Sequence, residues 1–406
     1  MEEHYWKSIE AETDMINNLR AVHQGNAVLN GHPCQAELDW AGDRPTIKIS
    51  RIFNSELDDC VFNLKTATMD LVVEGMITGQ QNTVNVVEGW SNRHSSGKVQ
   101  RIKSAAWPED AIGLYRTYYH LASNRLLYDY FGIKEAVHFT ANEVEYRLTC
   151  HDAFLIVEAL EPVAYPVYAE QVYNIMVALG FVTGIFIQDH NYTFCVNEQA
   201  ALQFLYRKLR QGSDSMYHAL TWNAYGYQHL LGRSSAEAIA KSEILKPLDA
   251  ASFGRLAELT NNHHAIQYAL VLFNEANSNK LSLLIKNSCF YTVLEVLRKF
   301  FHHVFEANMP KGYSNLGNIP KFKVVFGQLA EVTTIEEIML KRRNSILHGE
   351  VEDLEGHEMI DLMQMQISLI YKLMMSYVGF DGYVIDHWAL RNNQPSHAFV
   401  KVVPLS

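Results

Sequence analysis

The chain has 406 residues, 48% of them hydrophobic and 19% charged, with a formal net charge of −11. That length and composition suffice for a sizeable core and make two domains the first expectation. The acidic balance excludes a generally basic protein that coats nucleic acid, while leaving room for a local basic site.

Five cysteines, Cys34, Cys60, Cys150, Cys195 and Cys289, are scattered singly without a CxxC pair, which suits a reducing cytoplasm. The opening MEEHYWKSIEAETDM is acidic and carries no signal-peptide apolar run. No uninterrupted apolar stretch of about 20 residues appears, so a cytoplasmic protein with no membrane span is expected.

Residues 1–30 read as a short helix and a turn ending in LNGHP. From about residue 36 to 160 the segments TIKISRIF, FNLKTATMDLVVEGMIT and NTVNVVEGW are β-branched and partly alternating, which predicts strands, with SNRHSSGKVQ as a polar loop. Residues 111–132 (AIGLYRTYYHLASNRLLYDYFG) read as a helix closed by Gly132. EVEYRLTCHDAFLIVEALEP returns to strand, and residues 167–196 read as a helix followed by a hairpin turning at QDHN. No GxGxxG, GxxxxGK[ST] or GxSxG occurs.

The second half changes character. Residues 250–276 and 279–307 read as long helices, 308–321 as a Gly/Pro/Asn loop, and LAEVTTIEEIMLKRRNSILHG as a third helix with a capping box from Thr334 to Glu337. Residues 354–380 give a fourth helix that stops near Gly379. The expected fold is an α+β N-terminal domain over 1–244 that senses or regulates, followed by an all-α four-helix bundle over 245–406.

Within the third helix, KRRNSILHGE concentrates Arg343, Asn344 and His348, flanked by Lys341 and Arg342. Asn344 and His348 are four apart and share a helix face, whereas Arg343 and His348 lie about 140° apart on an ideal helix. Gly349 ends the helix and lets the last turn distort. A histidine there is suited to moving protons, and an arginine matches phosphate oxygens through its planar fork. Arginine and histidine without a metal motif suit RNA phosphodiester cleavage, because the substrate supplies its own 2′-hydroxyl nucleophile.

RRNSILHG, late in a set of four helices, resembles the R-x4–6-H motif of the HEPN superfamily, with the polar residue after the arginine that active members show. LEVLRKFF is similar to the second HEPN helix, and YKLMMSYVGFDGYVIDH resembles the end of the ApeA-like HEPN family of bacterial anti-phage proteins. The resemblance covers roughly 245–390. It implies a metal-independent endoribonuclease that acts as a dimer in phage defence, abortive infection or as a toxin, leaving 2′,3′-cyclic phosphate ends. Arg343 and His348 are then the catalytic pair and Asn344 their adjunct. Lys341, Arg342 and Glu295 are candidates for holding substrate, Glu295 also for pairing with an arginine of the motif. No cofactor or metal is implied. The partners implied are RNA (tRNA or another cellular or phage RNA), a second copy of the chain, and a phage-derived trigger or an antitoxin. The alternative is a non-catalytic HEPN-like module that binds RNA or protein under a partner's control.

Other clusters have plainer readings. The pairs His263–His264 and His302–His303 point about 100° apart on a helix and chelate poorly. Tyr115, Tyr118, Tyr119 and Tyr128 with Arg116 and Arg125 are able to stack bases, but aromatic residues at helical spacing usually pack a core. Met359, Met363 and Met374 with Ile360, Ile367 and Ile370 read as bundle core or dimer interface.

Overall fold

The computed structural model describes the chain apart from residues 1, 30–31, 41–44, 51–58, 67–68, 84–91, 122–124, 188–189, 197–202, 209–212, 215–216, 218–243, 245, 279, 350–353, 393, 395–397 and 406. Two compact units interleave along the sequence. The first takes residues 1–120, 161–166 and 188–211, the second 121–160, 167–187 and 212–406.

The chain begins with α1 (Glu2–Leu19), β1 (Val22–Leu29), β2 (His32–Asp39), β3 (Thr46–Ser50), β4 (Asp59–Lys65), β5 (Asp70–Thr83), β6 (Asn92–Ser104) and β7 (Ile112–His120). It continues through α2 (Leu126–Phe131), β8 (Ala136–Ala141), β9 (Val144–His151), β10 (Phe154–Ala159), β11 (Val163–Ala164), α3 (Tyr165–Thr183), β12 (Ile185–Phe186), β13 (His190–Val196), β14 (Gln203–Lys208) and β15 (Ser213–Asp214).

In the first unit β3, β2, β1, β4, β5 and β6 pair in that order. β6 then returns to β3, from Thr46↔Lys98 to Ser50↔His94, so six antiparallel strands close into a barrel. Closure leaves no unpaired edge among these six. β6 outruns β3, and its residues 101–103 pair with β14 instead, from which β13 and β7 follow. The bend that this requires sits in β5, whose register against β6 shifts at Glu74/Gly75 and again at Ile77/Gly79. Gly75 is needed there, since a Cβ would stand 2.7 Å from the Lys98 carbonyl oxygen. The core gathers Ile9, Ile16 and Leu19 of α1 with Leu38, Ile47, Ile49, Val73 and Ile102, all buried. Trp40 is buried against the rings of Tyr192 and Tyr206.

The second unit holds the antiparallel strands β8, β9 and β10. Its C-terminal helices are α4 (Ala250–Asn262), α5 (His264–Ala276), α6 (Leu283–Val304), α7 (Asn318–Phe326), α8 (Thr334–Lys341), α9 (Arg343–His348), α10 (Gly356–Tyr377) and α11 (His387–Arg391), with the short hairpin β16 (Tyr383–Ile385) and β17 (Phe399–Lys401). α4 lies on β8: Phe253 packs edge-on against Phe131 and Phe139. Gly254 permits the approach, because a Cβ at that position would be 2.4 Å from the Thr140 carbonyl oxygen. Phe181 of α3 meets Phe273 of α5 and Tyr371 of α10, and Phe273 also meets Phe290 of α6. These helices therefore share one core with α3.

The expected fold, an α+β domain followed by an all-α four-helix bundle, is overturned. Thirteen sheet strands, β1 to β11 with β13 and β14, lie among the described residues. The C-terminal helices are not a free-standing bundle, because α3, α2 and β8–β10 belong to the same unit and complete its core. Residues 112–120 are a strand rather than the first half of a helix. SNRHSSGKVQ falls almost wholly within β6, whereas most of NTVNVVEGW lies outside the described residues. The expected hairpin at QDHN is replaced by β12 pairing with β15 and β13 pairing with β14. The methionine and isoleucine stripe of α10 is core: Met359, Met363, Met374, Ile367 and Ile370 are buried, and Ile360 is half-buried.

Asp386 caps α11, its Oδ1 accepting from the Ala389 N–H at 3.0 Å and from the Ser368 hydroxyl at 3.4 Å. With Glu336 and Lys372 it lines a cavity of about 390 Å³. Burial raises the Asp386 carboxyl pKa above its usual range, outweighing the cap N–H groups that lower it. The folded chain thus holds this proton more tightly than the unfolded chain does. The stabilisation is complete below the unfolded value of about 3.9 and is lost as pH rises through the raised folded value. Asp386→Asn keeps the cap and does not ionise. Its melting temperature relative to wild type is expected to be higher at about pH 7 than at about pH 4. An equal difference at the two pH values, measured by differential scanning calorimetry, refutes this account.

Candidate functional site

The site is built on one face of α6. Tyr291, Glu295, Arg298 and His302 follow at spacings of four, three and four, which aligns them along the helix. Opposite lies α8, which starts with a capping box: the Thr333 side chain accepts from the Glu336 N–H at 3.2 Å, and Glu336 accepts from the Thr333 N–H at 2.7 Å. Met339 and Leu340 bury its far end. There the Tyr291 hydroxyl donates to the Met339 carbonyl at 2.5 Å. Burial pushes the Tyr291 pKa well up, so the phenol stays a donor. This bond sets the end of α8 one helical turn from Glu295.

Arg342 interrupts the helix for one residue, and α9 runs on from Arg343 to His348, anchored by buried Ile346. Gly349 closes it in the left-handed conformation, φ +75°. The expected single third helix is therefore two short ones, and its capping box sits at Thr333 and Glu336, one residue before the expected pair. The expected helix over 250–276 is likewise two, separated at His263.

Glu295 joins two arginines. Its Oε1 lies 2.6 Å from Arg343 Nε, and its Oε2 accepts from Arg298 Nε at 3.2 Å and Nη2 at 3.0 Å. The Arg343 contact is one of charge, since its Nε–H is not aligned on an acceptor. Arg343 Nη1 donates to Asn344 Oδ1 at 2.7 Å, and among the described residues Nη2 has no partner. Arg298 Nη1 donates to the Tyr313 hydroxyl at 3.3 Å. Two guanidinium groups on one carboxylate leave a positive excess, to which exposed Arg342 adds. Lys341 is 3.7 Å from Glu337 and mostly exposed.

Of the residues singled out in the sequence, Asn344 and Glu295 each contact Arg343. Arg342 and Lys341 lie on the same surface turn. His348 is exposed at the end of α9 and has no hydrogen-bond, ion-pair or ring partner among the described residues. An exposed imidazole on the same short helix as a guanidinium with a spare N–H group gives this surface a proton carrier and an anion-binding group.

Sequence reading missed Arg298, Tyr291 and Tyr313. The first two were legible in principle from the spacing along α6. Tyr313 was not, because it arrives from the connection 305–317, which folds through two 3-10 turns, Glu306–Asn308 and Tyr313–Asn315. Tyr115, Tyr118 and Tyr119 are buried in β7 and cannot stack bases. Among the described residues no group of histidine, cysteine, aspartate and glutamate is spaced to hold a metal ion. No helix among them is long and apolar enough to cross a membrane. No protein-family model, curated protein or solved structure matches the chain.

Proposed function

We propose that the chain is a metal-independent endoribonuclease of the HEPN type, acting in the cytoplasm in anti-phage defence, abortive infection or as a toxin. The observation that carries this reading is Arg343 held between Glu295 and Asn344, with an exposed His348 about one and a half turns on. Arg343 keeps its charge at any working pH and offers N–H groups to the two non-bridging oxygens of a phosphodiester. Cleavage needs a base to take the 2′-hydroxyl proton and an acid to protonate the leaving 5′-oxygen. The 2′-oxygen bonds to phosphorus, the P–O5′ bond breaks, and the products are a 2′,3′-cyclic phosphate and a 5′-hydroxyl. One His348 fills one role, and a second copy of the chain supplies the other across a twofold axis. The first unit senses a phage-derived trigger or an antitoxin and sets the activity of the second.

The test is incubation of purified protein with total RNA in EDTA, alone and with a lysate of phage-infected cells, with the His348→Ala chain as control. Cleavage that depends on His348, persists in EDTA and leaves cyclic phosphate ends is the expected result. Cleavage that stops in EDTA and returns with magnesium or zinc, or RNA left intact under both conditions, rejects the reading.

A further inference from the structure

The connection after α6 does more than join helices. Its Tyr313 ring lies flat on the His302 ring, with centroids 4.5 Å apart and planes 16° apart. The Lys321 ammonium stands 5.9 Å from the Tyr313 centroid. Both rings are half-buried, while Gly312, Ser314 and Asn315 around Tyr313 are exposed. The stack is tied to the cationic site through Tyr313 to Arg298, Arg298 to Glu295, and Glu295 to Arg343. Glu295 and His302 are seven residues apart on α6, about 10 Å along the axis and on the same face. Counting Arg298, Arg342, Arg343 and Lys321 against Glu295, the strip is strongly positive in a chain of net charge −11.

A flat pair of rings beside a strip of positive charge is how single-stranded nucleic acid is gripped without reading sequence: the backbone follows the charge and a base continues the stack. A duplex would offer the rings no open base face. We propose that the His302–Tyr313 pair seats a nucleobase next to the phosphate held at Arg343, so that the site takes unpaired RNA such as a loop or a single strand. This rests on the RNA reading above and adds to it the substrate form and two positioning residues. Arg298 donates to the Tyr313 hydroxyl, and Lys321 adds positive charge over that ring.

The test uses the full chain and a short single-stranded RNA bearing 2-aminopurine and 2′-O-methyl groups, which blocks cleavage. Wild type is expected to quench the fluorophore on binding. The double variant His302→Ala/Tyr313→Leu is expected to bind about tenfold or more weakly and to lose the quench, the loss that one unstacked base gives. Tyr313→Phe keeps the ring but loses the hydroxyl that Arg298 holds, and is expected to quench more than the double variant does. Should the double variant not fold, the same question is put to wild type with an abasic residue in place of 2-aminopurine, where an equal loss of affinity is expected. Undiminished affinity for the abasic strand, or a folded double variant that binds and quenches like wild type, overturns the proposal. Binding and quenching by wild type without cleavage of the unmodified strand uphold the platform and remove the nuclease. Cleavage with unaltered behaviour of the double variant does the reverse.

Discussion

His348→Ala is expected to lower RNA cleavage by at least about 10²-fold, the usual contribution of a positioned proton carrier, with melting temperature unchanged. The side chain is exposed and has no partner among the described residues, so its removal costs little packing. Arg343→Lys separates charge from shape. It keeps the positive charge near Glu295 but loses the planar fork and the donor to Asn344, and is expected to fall nearly as far as Arg343→Ala. Because a site shared by two chains contains two histidines, excess His348→Ala chain added under exchange conditions is expected to depress wild-type activity far below dilution. Full activity in a monomer, shown by light scattering, together with additive mixing, would sink the shared site. His302, which belongs to the same chain and the same strip, would then be the first candidate for the second proton carrier.

What the sequence revealed here was local, and what it concealed was long-range. Strands 144–151 and 154–159 were legible from β-branched composition, and α6 and α10 from three- and four-residue spacing. Glu295, inside VLEVL, was legible as a candidate partner for an arginine of the motif, although a lone glutamate in an apolar stripe more often marks its solvated edge. The strand at 112–120 was misread because five of its residues in succession are buried, which erases the two-residue alternation. Its tyrosines at 115, 118 and 119 then imitate helical spacing. No proline or glycine marks the break at His263 or at Arg342, so α4 with α5, and α8 with α9, each read as one helix. The barrel closes through pairs about fifty residues apart, such as Thr46↔Lys98, which leave no trace in either segment alone. The same holds for the core of the second unit, where Phe181 and Phe273 meet only in the fold. The candidate site was half legible: the motif announced itself, whereas the stack of Tyr313 on His302 depends on the path of the connection after α6.

Glu12→Leu is expected to be among the most damaging single changes in the first unit. Glu12 and Arg116 are almost fully buried and lie 2.7 Å apart, Oε1 to Nη1. Glu12 Oε2 accepts from the Tyr118 hydroxyl at 2.5 Å, and Arg116 also meets the Ser8 hydroxyl at 3.1 Å and the Tyr5 ring at 5.1 Å. Burial pushes the Tyr118 pKa far up, with the Glu12 charge adding to it, so the phenol remains a donor. The Ser8 hydroxyl also donates to Glu12 Oε1 at 3.0 Å, so the carboxylate satisfies three donors, one of them charged. Its loss takes the Glu12 carboxylate away from a buried guanidinium, and breaking a buried ion pair by removing one partner costs about 3–5 kcal/mol. The stability of the pair itself is a separate quantity. Two buried charges carry a desolvation cost that their attraction only partly offsets, so an apolar pair of similar volume is often as stable. The double variant Glu12→Leu/Arg116→Met is therefore expected to recover most of the loss, since the buried guanidinium goes with the carboxylate. Urea unfolding, followed by fluorescence of the buried Trp40 in the same unit, reads both variants. A double variant no more stable than Glu12→Leu would show that the damage lies in lost packing between α1 and β7 and not in the buried charge.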